Sequence, residues 1–559
     1  MFRSFEAILL VVVLVTAAFL NACGTPGSAV SSGPIGANVM LTSGPIIGAP
    51  LDADGVLAYK GIPYAAAPVG ELRWRAPQPV ASWTAPRDVK SFGPTCWQSA
   101  PFDGNVEKAS AATPKGFNED CLFVNVWTPA RDRGERRPVM VWLHGGGFQF
   151  GSGNLPPRDF GVDAGSGSVP LVKKGVVLVS LNYRLGVFGY FSHPELLSAP
   201  GAGAYGLLDQ NAALRWVKEN IARFGGDPDN VTIFGESAGS HSVSIQMASP
   251  LSRGLFHKAI GQSGAFWETD EGPKRTSASV APLGVEVGVK VNSKSLAELR
   301  RVDALTMQKA TNWRLFATDA RLTGWSPAID GQVLPAAAYD IYASGKQNDV
   351  PLITGWNASE GWPLFDNHSL MFAPPGAPRK TAAEFNAARD RRFAGPFADT
   401  ARKLYPGDSF EQATASARSL AGDEVIAYGN WAWAGVARRT GRSPVYVYYF
   451  DHRSAFLPIP AHVAEVQYVF NDLSGRFGDA RPRGPNPPQP DEGDLLLSDR
   501  MASHWANFAR TGNPNGSGLP EWPGFEGPGS KVMHFNANAA AGPDPSTDRH
   551  TFLHRWKGR

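Results

Sequence analysis

The chain has 559 residues, of which 43% are hydrophobic and 18% charged; that is enough apolar material to bury a large core, and it excludes a mostly disordered chain. Fifty-three Lys and Arg against 50 Asp and Glu leave a formal net charge of +3, too little on this length to draw the protein to nucleic acid or an acidic surface. No period of about 20–50 residues recurs, which argues against a solenoid or propeller.

The one long apolar run, from Ala7 to Leu20, has 14 residues. A membrane-spanning helix needs about 20, so the run reads as the apolar part of a signal peptide over residues 1–22. It ends in Leu20-Asn21-Ala22-Cys23, which resembles a bacterial lipobox. In such sequences cleavage precedes a lipidated Cys; ordinary secretion is the plainer alternative. The expectation is an exported protein, lipid-anchored through Cys23 and facing outside the cytoplasm, with no other membrane contact. Residues 23–38 are rich in Gly, Ser, Pro and Ala and carry no charge, the composition of a flexible tether. Residues 39–559 are then the folded body, read as a single domain.

Besides Cys23 the chain has two cysteines, Cys96 and Cys121. In an oxidising compartment a disulfide between them is the simple reading, and two free thiols the alternative. Three cysteines cannot form a four-Cys zinc site, and no HExxH or paired-Cys motif is present. No metal or cofactor is expected.

Continuous apolar runs at 139–143 (VMVWL) and 176–181 (VVLVSL) have the pattern of strands buried on both faces, as in a parallel sheet. Leu214, Val217, Ile221 and Phe224 share one helical face, and that helix should stop at Gly225-Gly226-Asp227-Pro228. A third strand at 231–234 (VTIF) runs straight into Gly235-Glu236-Ser237-Ala238-Gly239. Residues 352–354 and 445–450 (VYVYYF) are further strand candidates. Strands alternating with helices over this length predict an α/β fold with a doubly wound, mostly parallel sheet. Helical stretches at about 269–320 and 381–439 are placed to cover the sheet's active edge, and 481–490 (RPRGPNPPQP) is a surface loop.

GESAG at 235–239 fits G-x-S-x-G. In a chain with 61 glycines the match alone carries little; its position between a strand and a helix is what a nucleophile elbow requires. There the turn lifts the Ser237 hydroxyl above the sheet, and the helix N-terminus favours developing negative charge. Independently, His144-Gly145-Gly146-Gly147-Phe148 follows the VMVWL strand. An HGGG loop aims backbone N–H groups at a carbonyl oxygen as it becomes an oxyanion. A Ser nucleophile needs a His base, and the His needs a carboxylate that fixes its tautomer; in this fold the acid and then the His follow the Ser along the chain. His241, four residues past Ser237 on the same predicted helix, points back along that helix and reads as a packing side chain or a support beside the triad.

With these motifs the sequence resembles the type-B carboxylesterases, the cholinesterase-like α/β-hydrolases, and especially the bacterial para-nitrobenzyl-esterase-like members. The resemblance runs from about Met40 to the C-terminus. It rests on GIPYA at 61–65, Arg73-Trp74, Glu119-Asp120-Cys121-Leu122, NYRLG at 182–186, FGGDP at 224–228, TIFGESAG at 232–239 and QSG at 262–264. It continues through Asp330-Gly331, GWNASEG at 355–361, HVAEVQYVF at 462–470 and WANFARTGNPN at 505–515. The resemblance implies an α/β-hydrolase fold with a helical cover and a serine ester hydrolase with Ser237 as nucleophile, Glu360 as acid and His462 as base. It implies oxyanion donors at Gly146, Gly147 and Ala238, polar support from Glu236 and Ser263, and a Cys96–Cys121 disulfide. The expected partner is a small-molecule ester. A lactonase or amidase with the same triad is the neighbouring alternative, and a binding module that has lost catalysis is a remoter one, since all three triad positions are filled. Cholinesterases carry a choline-binding Trp in the loop before the second Cys; residues 101–120 contain no Trp, so choline esters are not indicated.

Overall fold

The computed structural model describes residues 32–154, 170–267, 274–314, 324–362, 365–373, 378–473 and 488–559. The signal-like run and Cys23 lie outside them, as does most of the Pro-rich loop.

Ten strands form one sheet: β1 (Leu57–Pro63), β2 (Phe123–Thr128), β3 (Arg137–Leu143), β4 (Val177–Leu181), β5 (Gly226–Glu236), β6 (Lys258–Gln262), β7 (Leu352–Asn357), β8 (Val445–Phe450), β9 (Lys531–Phe535) and β10 (Ala540–Pro543). Their order across the sheet is β10-β9-β8-β7-β6-β5-β3-β4-β2-β1. The seven strands from β9 to β4 are mutually parallel. β10 closes one edge antiparallel, and β2 and β1 form an antiparallel pair at the other.

The apolar runs form strands because both of their faces are covered. Val139, Val141 and Leu143 of β3 enter one hydrophobic core, whereas Met140 and Trp142 enter a second on the opposite face. β4 divides in the same way: Val177, Val179 and Leu181 go to the first core and Leu178 to the second. Helices α1 (Tyr205–Asn220) and α2 (Ala238–Ala248) supply the first core. So do α4 (Phe410–Gly422) and α5 (Tyr428–Thr440), which follow α3 (Ser277–Lys290) in the chain. The second core is supplied by α6 (Glu492–Thr511) through Leu497, Met501 and Trp505. The face expected from Leu214, Val217, Ile221 and Phe224 is buried in the first core. The element ends at Gly225, whose φ of 75° is the left-handed cap that glycine adopts without a Cβ penalty. The expected helical stretches contain α3 and, further on, α4 and α5.

One expectation is corrected. The last residues of the stretch read as a tether are docked: Arg133 N donates to Gly33 O at 2.9 Å, and Ile35 N to Arg131 O at 2.8 Å. The Ile35 side chain packs against the core, and that burial sets the chain in place several residues before residue 39. Cys96 and Cys121 are joined in a disulfide, with their Cα atoms 5.0 Å apart.

Candidate active site

The carboxyl ends of β3, β5, β6, β7 and β8, and the loops that leave them, carry the expected triad, the oxyanion residues and their two polar supports. In a doubly wound sheet those ends form the ligand-binding edge. The register sets the ends side by side: Gly235 pairs with Leu143, Glu236 with Gln262, Gln262 with Gly355, and Asn357 with Phe450.

Ser237 is the N-cap of α2, with φ 56° and ψ −124°. A non-glycine residue in that conformation costs on the order of 1–3 kcal/mol and persists only when its surroundings enforce it. Here Ser237 N donates to Gln262 O at 2.9 Å, and His241 N donates to Ser237 O at 2.9 Å. The flanking glycines permit the packing. A Cβ on Gly235 would lie 2.6 Å from Leu143 O, and one on Gly239 would run into that same oxygen. Ser237 is only half-buried, between a fully buried strand end and a buried helix.

The glycine loop lies directly against this turn: a Cβ on Gly145 would be 3.2 Å from Ser237 Cβ. Gly146 and Gly147 have φ of 105° and 61°, and a Cβ on Gly146 would strike the Phe150 carbonyl. The loop is anchored at its start. Tyr183 OH donates to His144 O at 2.7 Å, and the two rings stack with centroids 4.2 Å apart. No acceptor among the described residues takes the Gly146 or Gly147 amide. Ala238 N, as the first helical amide, has no acceptor within its own helix.

Glu360 and His462 come together across 102 residues of chain, with His462 Nδ1 2.6 Å from Glu360 Oε2 and both side chains buried. A carboxylate only accepts, so Nδ1–H donates and Nε2 is left as the basic nitrogen. Glu360 Oε1 accepts from Asn357 N at 2.7 Å. The loops that carry acid and base are strapped together: Ser359 N donates to Pro460 O at 3.0 Å, and Asn357 Nδ2 donates to Ala461 O at 2.8 Å. Val463, directly after the base, has a φ of 75°, which is unusual for a β-branched residue.

His462 Nε2 lies 3.1 Å from Glu236 Oε1, yet neither atom has a hydrogen-bond partner among the described residues. The structure therefore does not join Ser237 Oγ to His462 Nε2 by a hydrogen bond. Ser263 N donates to Gly355 O at 2.9 Å, and Ser263 Oγ is buried without a hydrogen-bond partner among the described residues.

Burial opposes a charge on His462, but the neighbouring carboxyls Glu236 and Glu360 outweigh it and raise the imidazole to about 9. Burial also holds the Glu236 carboxyl well above the usual range, against the pull of the His462 cation. A protonated Glu236 exerts no such push, so Glu360 is the lasting source of the upward shift on His462.

Two further residues belong to this cluster, and nothing in the sequence singled out a role for them. Glu465 is fully buried and accepts from Asn357 Nδ2 at 2.6 Å and from Gln262 Nε2 at 3.1 Å. Burial and the charge of Glu360 raise its carboxyl. Asn357 thus bridges Glu465 and Glu360. The available signal was a buried-type spacing: a carboxyl three residues past the base, inside a mostly apolar stretch.

The described residues contain no cluster of His, Cys, Asp and Glu fit to hold a metal, and no helix long and apolar enough to cross a membrane.

Comparison with known proteins gives a consistent answer. The model of the family described as "Carboxylesterase family" matches residues 36–553. The fumonisin B1 esterase of Sphingopyxis macrogoltabida is 35% identical over 87% of this chain and 84% of its own. The para-nitrobenzyl esterase of Bacillus subtilis is 32% identical over 90% and 96%. Among solved structures, a Geobacillus stearothermophilus carboxylesterase superposes with a TM-score of 0.74 at 30% identity, covering 92% of this chain and 99% of its own. With its α/β-hydrolase fold and a half-buried serine poised at the carboxyl edge of the sheet, the chain belongs to the carboxylesterase family and is an enzyme that hydrolyses carboxylic esters.

Proposed function

We propose that hydrolysis proceeds through a Ser237-His462-Glu360 triad and a covalent acyl-enzyme. The observation that carries the proposal is the buried 2.6 Å contact between His462 Nδ1 and Glu360 Oε2, on the same sheet edge as the strained Ser237 turn. His462 Nε2 takes the Ser237 proton as Oγ attacks the ester carbonyl. The Ser237–His462 hydrogen bond forms with substrate in place, since such bonds tighten in the Michaelis complex. Glu360 holds the reactive tautomer and balances the imidazolium. The amides of Gly146, Gly147 and Ala238 receive the oxyanion. His462 then protonates the leaving alcohol, and water, deprotonated by the same imidazole, releases the acid. Glu236, 3.1 Å from His462 Nε2, and Ser263, whose amide is tied to Gly355 O at the neighbouring strand end, give polar support around the triad.

We further propose that the chain is exported, loses residues 1–22 and is held at a membrane by lipid on Cys23, which leaves the catalytic body facing outward. The support is the apolar run and the Leu20-Asn21-Ala22-Cys23 sequence; the disulfide fits an oxidising compartment.

A panel of para-nitrophenyl esters, lactones and anilides tests the reaction class. Esters should be turned over with the highest kcat/KM; a preference for lactones or anilides would overturn the ester reading.

A further inference from the structure

His241, expected to pack or to support the triad, packs on aromatic rings but leaves its polar atoms open. It is half-buried, and neither ring nitrogen has a hydrogen-bond partner among the described residues or is sealed from solvent. Its ring lies beside the Ser237 turn. A Cβ on Gly264 would be 2.7 Å from Ser237 O and 3.1 Å from His241 Nε2. The surroundings are otherwise aromatic: Phe148, the residue after the oxyanion glycines, stacks on it at 6.2 Å, and Phe266 meets it edge-on at 6.2 Å. Enclosure by protein, with the nearby His462 charge adding to it, lowers the imidazole to about 4. The ring is therefore neutral at working pH, able to donate from one nitrogen and accept at the other.

The chemistry decides which part of an ester reaches it. The leaving oxygen must face His462, which protonates it, and the ring beside His462 is Phe365, at 5.0 Å. With the carbonyl oxygen directed into the glycine loop, the acyl side is assigned to the face of the Ser237 turn on which Phe148 and His241 meet. We infer that His241 is a specificity-determining residue of the acyl pocket, which selects acyl chains bearing a hydroxyl or keto oxygen close to the ester carbonyl. This inference rests on the triad reading above. A plain alkyl chain leaves the imidazole unpaired in an aromatic pocket, whereas an oxygenated chain satisfies it.

The test compares para-nitrophenyl 3-hydroxybutyrate with para-nitrophenyl butyrate, each kcat/KM divided by the rate of hydroxide hydrolysis of the same ester. The wild type should favour the hydroxy ester by about tenfold, the scale of one hydrogen bond in a half-open site. His241→Phe keeps the bulk, removes both nitrogens and should erase the preference; His241→Gln should restore part of it. Titration of active sites with a phosphonate corrects each variant for its folded fraction. A wild-type ratio near one, or a His241→Phe loss that falls equally on both esters, overturns the inference. Full ester turnover by Ser237→Ala would instead overturn the triad reading, so the two failures are distinguishable.

Discussion

At the residue scale the working parts are a basic nitrogen and the charge that tunes it. Glu360→Gln keeps the shape of the acid and the contact to Asn357 N, but removes the charge that steadies the imidazolium. Its kcat should fall by about 10⁴-fold, measured against active-site titre; a loss under tenfold would mean that another carboxyl does this work. The pH dependence follows from His462. The attack needs its neutral form, and Glu360 raises its pKa. Activity is therefore lost as pH falls through a value above the ordinary 6.5, and kcat/KM on a neutral ester should rise with a midpoint between that value and about 9. A midpoint below 6.5 would contradict the upward push. Ser237 was legible from the sequence because a five-residue motif sat between a strand and a helix. Glu360 was legible only through the family resemblance, since nothing local marks one acid out of 50. Asn357 and Glu465 stayed illegible, because their role is contact with each other across the sheet edge at a sequence separation of 108. His241 shows the opposite limit: its helical position was plain, but its half-open, unpartnered ring depends on Gly264 and Phe266, which approach from another strand end.

At the element scale, legibility followed how apolar a run is. Strands β3, β4 and β8 are nearly unbroken aliphatic or aromatic stretches and stood out. β6 (KAIGQ) did not: it has two aliphatic residues, and its Gly261 is required because the Trp433 ring of α5 packs where a Cβ would be. Edge strand β1 mixes Lys, Gly and Pro with its apolar residues and β10 is only Ala, Gly and Pro, so composition hid them as well. The Cys96–Cys121 bridge is the covalent element of the fold near the mouth of the glycine loop, where Ser99 N donates to Gln149 O at 2.8 Å. It spans 25 residues, for which constraint of the unfolded chain is worth about 3 kcal/mol. Replacing both cysteines by Ala should lower the unfolding free energy by an amount of that order, read as a lower urea midpoint, while the far-ultraviolet dichroism of the folded protein is retained. An unchanged midpoint would show that the bridge adds nothing to stability.

At the scale of the whole molecule, one sheet from Leu57 to Pro543 gathers residues 144, 237, 360 and 462 onto a single edge, which explains why so long a chain serves one site. Anchoring belongs to this scale too. Cleavage before Cys23 would leave 537 residues, and several acyl chains hold a protein to a bilayer where one does not. Wild-type protein from native cells should sediment with membranes and carry lipid on Cys23, whereas Cys23→Ser should be soluble or uncleaved; wild-type protein found unlipidated and soluble would refute the anchor. The central claim, that one serine on this edge carries the acyl group, is tested most directly by labelling the intact protein with a serine-reactive fluorophosphonate and mapping the adduct. One label per chain is expected, on Ser237, with ester turnover lost in step, and a Ser237→Ala variant should take no label and turn over esters about a millionfold more slowly. A label on any other residue, or near-wild-type turnover by Ser237→Ala, would contradict it.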